Sequence, residues 1–192
     1  MFYNPTTENI KNIQSYIHGL EMLYVIDNSD DCSKSTKKAL SIFGDQVEYF
    51  RMNGNQGIAK ALNKGLTLAK KAGANFVLTM DQDSSFVEGG FQLLTDRLES
   101  FSSKERSKIG ILSCNHLIEG SYLEGGSDEL RAVDFVMTSG NLVNMGACNE
   151  VGLFRDEFFI DEVDVEYCRR LKDAGFQVVV VNKAVLRHCL GD

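Results

Sequence analysis

Phe76-Val77-Leu78-Thr79-Met80-Asp81-Gln82-Asp83-Ser84 decides how the rest of the chain is read. A run of strand length, apolar apart from Thr79, stops at two carboxylates spaced i and i+2. A nearly all-apolar strand is what a sheet covered on both faces requires. Carboxylates just past such a strand can face one small volume once the chain turns. They would make a hard-oxygen site suited to Mg²⁺ or Mn²⁺ carrying a diphosphate. A solvated acidic turn is the plainer reading of the same string. An EF-hand loop does not fit, because Phe86 stands where the sharp turn needs Gly and Gln92 where the bidentate Glu belongs.

Working outward, Gln56 to Ala72 predicts a helix, with Ile58, Leu62, Leu66 and Ala69 on one face and Gly73 as its stop. Before it, Met22 to Ile26 and Gln46 to Met52 read as strands, separated by a Ser33-capped helix from Ser33 to Phe43. After it, Phe91 to Phe101 reads as helix and Ile109 to Cys114 as strand. Asn115 to Arg131, with several glycines, reads as a loop or irregular hairpin, and Val133 to Met137 as a strand. Val163 to Ala174 is an amphipathic helix closed by Gly175, and Gln177 to Val181 a final strong strand. This alternation predicts an α/β fold: a mostly parallel, twisted sheet flanked by helices. One domain over residues 1–192 is expected. In such sheets ligands bind beyond the carboxyl ends of the strands.

Composition narrows the partners. The net charge of −7 without a long basic run argues against nucleic acid, which demands clustered Lys and Arg. It does not exclude an anionic small substrate, since a divalent metal can supply local positive charge. Cys32, Cys114, Cys148, Cys168 and Cys189 are scattered and odd in number, which suits a reducing cytosol better than a disulfide framework. No apolar run reaches membrane-spanning length, and no signal peptide is read.

Three further constellations follow predicted strands or open predicted helices. Asp161-Glu162-Val163-Asp164 leads into a helix ending at Arg169-Arg170-Leu171-Lys172, a charge order that the helix dipole alone explains. The chemical alternative makes one acid of that cluster a general base, its pKa raised by its neighbours. His188, soon after the last strand, is a candidate metal or diphosphate contact, against the commoner structural histidine. Asn53-Gly54-Asn55-Gln56-Gly57-Ile58-Ala59 joins a strand to the longest helix, where glycines admit a ligand and the helix N-terminus favours anions. It matches neither a Walker loop nor the dinucleotide fingerprint.

Taken in order, these segments resemble the inverting, family-two glycosyltransferases of GT-A fold, a Rossmann-like architecture. Phe2-Tyr3-Asn4-Pro5 resembles their T-[FY]-N-P segment, and Val25-Ile26-Asp27-Asn28-Ser29 their V-D-N-[GS] turn. Asn53 with Asn55 to Ala59 resembles N-x-N-x-G-[IL]-[AG], continued by Asn63-Lys64-Gly65. Asp81-Gln82-Asp83-Ser84 is similar to the D-Q-D-S variant of bacterial rhamnosyltransferases. Thr138-Ser139-Gly140, Phe159-Ile160-Asp161 with Val163-Asp164, and His188 with Gly191 resemble the [TS]-S-G, F-I-D-x-V-D and H-x-x-G segments. Relatives carry a strand before T-[FY]-N-P and helices beyond H-x-x-G, so the chain reads as a domain trimmed at both ends.

The resemblance implies a nucleotide-diphospho-sugar donor, dTDP-L-rhamnose above others, and a saccharide or lipid-linked saccharide acceptor in cell-surface polysaccharide synthesis. Asp83 and His188 would hold the divalent cation (Mg²⁺ or Mn²⁺). Asp81 would meet the ribose side of the nucleotide, or the metal through water. Tyr3, Asn4 and Asp27 would seat base and ribose, while Asn53 and Lys60 orient the donor. Ser139, Gly140 and Asp164 would lie on the acceptor side, with Asp161, or its rival Glu162, as the base of one inverting displacement. Two other readings stand beside it: a haloacid-dehalogenase-type phosphatase with Asp81 as nucleophile, and a domain that binds nucleotide sugar without turnover. A cytoplasmic protein is expected, with contact at the inner membrane face left open and a homodimer through an unpaired sheet edge as the candidate association.

Overall fold

The computed structural model describes residues 1–30, 34–118 and 130–188. The Ser33 cap, the middle of the 115–131 loop, Cys32, Cys189 and Gly191 lie outside the described residues. In chain order the elements are α1 (Thr7–Asn12), β1 (Leu23–Asp27), α2 (Lys34–Leu40), β2 (Val47–Arg51), α3 (Ile58–Lys71), β3 (Phe76–Thr79) and β4 (Ser84–Phe86). There follow α4 (Gly90–Ser100), α5 (Ser103–Arg106), β5 (Ile109–Ile118), β6 (Leu130–Ala132), β7 (Asn141–Asn144), α6 (Met145–Val151), α7 (Val163–Asp173) and β8 (Gln177–His188).

Four consecutive valines, Val178 to Val181, show why the strands are apolar throughout. Successive side chains on a strand point to opposite faces. Val179 and Val181 enter a core with Ile10, Ile13, Tyr16, Phe91 and Leu94, from α1, α4 and the turns between α1 and β1. Val178 and Val180 enter a second core with Leu62 and Leu66 of α3 and Tyr167 and Leu171 of α7. Leu112 and Ile111, and Leu142 and Val143, divide between the two cores in the same way. Helices therefore cover both faces, as the all-apolar strands require.

The sheet is mixed, which corrects the expectation of a mostly parallel one. Strands run β3-β7-β5-β8-β4, with β6 also on β8, and only β5 and β8 pair in parallel. β1 and β2 form a separate parallel pair. The antiparallel β7 lies between β3 and β5 in the large sheet, and its sequence conceals it. Asn-Leu-Val-Asn holds only two apolar residues, and both asparagines spend their amides on backbone. Asn144 accepts from Gly146 N–H (2.8 Å) to cap α6 and donates to Ile109 O (2.7 Å). Asn141 donates to Met137 O at 2.6 Å. Residues 133–137 are not the strand they resemble; β6 ends at Ala132, Val136 is buried in the second core with Val133 packed partly buried against it, and Phe135 stays exposed. β8, by contrast, runs to His188, seven residues past the predicted end at Val181. No helix among the described residues is long and apolar enough to cross a membrane.

Candidate active site

Register in the sheet assembles the central cluster. β3 delivers Asp81 just past its carboxyl end, a short turn carries Asp83, and β4 then pairs antiparallel with β8 so that Ser84 stands opposite His188. One ligand atom from each of Asp81, Asp83 and His188 falls within 4.8 Å of the others. His188 Nδ1 lies 3.6 Å from Asp83 Oδ1 and 2.7 Å from Ser84 Oγ. Two carboxylates and an imidazole, all half-buried, are a donor set that fits a divalent cation.

Behind these three residues sits a buried hydroxyl relay. Ser139 Oγ donates to Ser84 Oγ (2.8 Å) and accepts the Asp81 N–H (3.1 Å). Both serines are fully buried, and Ser139 O lies 2.8 Å from His116 Nε2. Gly140, at φ 76°, makes the bend possible: a Cβ there would sit 2.5 Å from Cys114 Sγ. Ser139 and Gly140, read from sequence as acceptor-side residues, thus stand where they brace the carboxylates.

Burial pushes the Asp81 carboxyl above the usual carboxylate range. The Met1 amine and His188 pull it back, while Asp83 pushes it further up. The Met1 amine, bonded to Met80 O at 2.7 Å, is itself driven down by burial, with Asp81 opposing. Two acids crowded in a half-buried pocket want a cation between them.

A second group of residues shapes the wall beside this cluster. Asp27 is 1% exposed, and its carboxylate is taken by the Tyr49 hydroxyl and the Ser29 N–H (2.9 Å). Asn28 donates to Asn55 Oδ1 (3.0 Å) and Gly57 O (3.2 Å) and accepts from Gln56 N–H (2.9 Å), locking the end of β1 to the turn before α3. Asn53 lies in that turn at φ 59°. Tyr3 trades two backbone bonds with the Gln82 amide (2.7 and 3.0 Å), and its hydroxyl donates to Asp30. Asn4, at φ 46°, donates its N–H to Ser29 Oγ at 2.7 Å. Tyr3 and Asn4 therefore line one rim formed with Asp27, Asp30 and Gln82, and Lys60 lies exposed on the first turn of α3.

The acidic segment docks elsewhere on the same end of the fold. Phe159 O accepts the Ile58 N–H at 2.7 Å, capping α3 from outside. Gly57, at φ 86°, allows this approach, since a Cβ would meet Phe159 Cδ2 and O at 2.8 Å. Asp161 and Glu162 are exposed, Glu162 at φ 64° as it turns into α7, and Asp164 bonds its own helix at Val165 N–H (2.8 Å). Among the described residues no hydrogen bond or ion pair joins Asp161 or Glu162 to Asp81, Asp83 or His188. The charge order of α7 has its own use: Glu166 pairs with Arg170 (2.6 Å) and Arg155 (3.2 Å), and Arg170 reaches Val151 O and Leu153 O.

The structure thus unites the mid-chain carboxylates with His188, and sets the late acids apart at the α3 terminus. Sequence reading quotes Asn28, Gln82 and Ser84 inside its motifs without giving them a role, and it misses Tyr49, which stands beside no residue it singles out; what these side chains touch shows only through register and burial.

Comparison with known proteins bears on the family and the fold. The glycosyl transferase family 2 model matches residues 4–102, just over half of the chain. The dTDP-rhamnosyl transferase RfbF of Shigella flexneri is 26% identical over 206 aligned positions, which take in 99% of this chain and 67% of that protein. GalNAc-T7, solved with UDP, GalNAc and Mn²⁺, superposes with a TM-score of 0.74 at 14% identity, over 93% of this chain. This chain spans only 40% of GalNAc-T7, so that likeness speaks for the fold. The chain belongs to glycosyl transferase family 2.

Proposed function

We propose that this chain transfers a sugar from a nucleotide-diphospho-sugar to a saccharide hydroxyl, with dTDP-L-rhamnose as donor and inversion at the anomeric carbon. The observation that carries the reading is the meeting of Asp81, Asp83 and His188 within 4.8 Å at the carboxyl end of β3. The rhamnosyl transferase name of the relative and the Asp81-Gln82-Asp83-Ser84 string support the donor.

Asp83 and His188 would hold a divalent cation, Mn²⁺ or Mg²⁺, with Asp81 beside them. When bound, it supplies Lewis-acid stabilisation of the departing diphosphate. Ser84 and Ser139 keep Asp81 and His188 in register for that role. The rim of Tyr3, Asn4 and Asp30 above buried Asp27 would seat base and ribose, and Asn53 and Lys60 would flank the donor. Asp161, with Glu162 as rival, would accept the proton of the attacking hydroxyl. Both acids are exposed on a segment beside the exposed Phe159 and Ile160, a surface suited to a saccharide or lipid-linked saccharide acceptor. Cytoplasmic placement belongs to this reading and not to any membrane-spanning element.

A second reading, donor binding without turnover, draws on one observation: the exposed acids make no contact with the cation cluster. Calorimetric titration of dTDP with and without Mn²⁺, followed by donor hydrolysis and transfer assays, tests both. Mn²⁺-dependent dTDP binding with transfer supports the first reading. Binding without transfer to any acceptor supports the second, and no binding at all sinks both.

A further inference from the structure

The apolar run of β5 ends at Cys114, and the residues after it read as loop, yet the strand continues to Ile118. It continues because its pairing with β8 shifts. Ile111 to Cys114 pair with Val178 to Val181, whereas Asn115 pairs with Val185, so the register steps over Asn182 to Ala184. The shift brings Leu186 beside His116 and His188 beside Ile118. Alternate residues of a strand point the same way, so His116 and His188 share one face of the sheet. Their rings meet edge to face, with centroids 6.3 Å apart and planes at 72°. Register shifts of this kind re-aim side chains beside active sites.

His116 also stands at the far end of the hydroxyl relay. Ser139 O is a carbonyl and can only accept, so the 2.8 Å contact puts a proton on His116 Nε2. Ser139 is fully buried, and water cannot take the place of that donor. The same residue accepts the Asp81 N–H (3.1 Å) and donates to Ser84 Oγ (2.8 Å), which lies 2.7 Å from His188 Nδ1. One imidazole therefore restrains both sides of the cluster: Asp81 through Ser139, and His188 through Ser84 and through the ring contact. Among the described residues the cluster itself takes in Asp81, Asp83 and His188, and His116 stands behind it.

We propose that His116 is a positioning residue of the cation cluster. Its Nε2–H, held on Ser139 O, fixes the geometry in which Asp81 and His188 face a common cation, and it touches neither cation nor donor. Supporting shells of this kind set the affinity of a metal site as well as its shape. The inference rests on the reading above in one respect, that the cluster takes a divalent cation.

The test compares His116→Gln with His116→Asn in the whole chain, by calorimetric titration of Mn²⁺ and by the Tm of the metal-free proteins. Both variants are neutral amides. The Gln amide nitrogen reaches as far along the side chain as imidazole Nε2, whereas that of Asn stops one methylene short of Ser139 O. The expected result is Mn²⁺ affinity within about threefold of the unmodified chain for Gln, and a loss of about 10–100-fold for Asn. The two metal-free Tm values should be alike, because a merely structural role would move both variants together. Gln as weak as Asn, or Asn as tight as the unmodified chain, overturns the proposal. Should the Asn variant fail to fold, Gln decides by the same mark: retained affinity supports the proposal and a larger loss overturns it. An unmodified chain that takes no Mn²⁺ overturns the cation reading itself, an outcome distinct from the failure of His116, in which that chain still binds.

Discussion

Asp81, Asp83 and His188 stand in a half-buried pocket, whereas Asp161 and Glu162 sit on an exposed segment fastened to α3 through the Phe159 O–Ile58 N–H bond beside Gly57. The first region is stiff for a stated reason: β4–β8 register and two buried serine hydroxyls fix it. The second is fastened at Phe159 and then swings out through Glu162 in the left-handed region. In sugar transfer the leaving diphosphate must be met by charge placed in advance. The attacking hydroxyl comes from a second substrate, and the group that deprotonates it can be brought close by that substrate. On the proposed reading, rigidity and exposure divide between the two halves of the transfer.

The sharpest way to break this contrast is Asp83→Ala. Losing a cation ligand should lower transfer by roughly 10³-fold, several kcal/mol of lost charge stabilisation, with Mn²⁺ binding gone in calorimetry. Retained Mn²⁺ affinity would remove the cluster from the mechanism. Next come Asp161→Asn and Glu162→Gln made separately. The true base should cost about 10²–10⁴ in kcat with Mn²⁺ and dTDP affinity unchanged, and the other acid little. If neither variant slows transfer, the base lies elsewhere.

Ser84→Ala should weaken Mn²⁺ binding about 10–100-fold while leaving Asp161-dependent steps alone, since it only orients His188. Gly57→Ala tests the other anchor. With φ at 86° and Phe159 in the way, the acidic segment should be displaced, at a cost of about 1–3 kcal/mol in stability. Mn²⁺ affinity should hold while kcat falls; a loss of Mn²⁺ binding would mean the two regions are not separable.

The smallest effect is in pH. Burial first, and Asp83 after it, raise the Asp81 carboxyl, while a cation takes the ionised form. Protons therefore compete with metal below the raised pKa. Mn²⁺ affinity should fall as pH drops through it and level off above it. Calorimetry in two buffers of different ionisation enthalpy would show proton release on binding. Affinity that does not change with pH over the range in which the protein stays folded would contradict the burial argument.

Much of this was written in the chain. The apolar runs at Phe76 and Val178 were legible because a strand buried on both faces has no polar side to show. Helices α3 and α7 were legible because a long amphipathic stripe repeats the same signal many times. Asp81 and Asp83 were legible because they follow an apolar strand, and His188 because it comes soon after the valine run, although β8 continues to include it. The antiparallel β7 was not, because two apolar residues between asparagines carry no period. Val133 to Met137 misled for the opposite reason: local β-propensity lost to a register that ended at Ala132.

The sequence by itself determined an α/β chain of glycosyl transferase family 2 and the residue types that could hold a cation. Only the tertiary structure decided that Ser84 lies opposite His188, that Ser139 supports Asp81 from behind, and that the late acids stand apart from both. Those facts are matters of strand pairing between residues as many as 104 positions apart. Local sequence fixes which way a side chain can face, but a partner that distant is chosen by packing of the whole sheet.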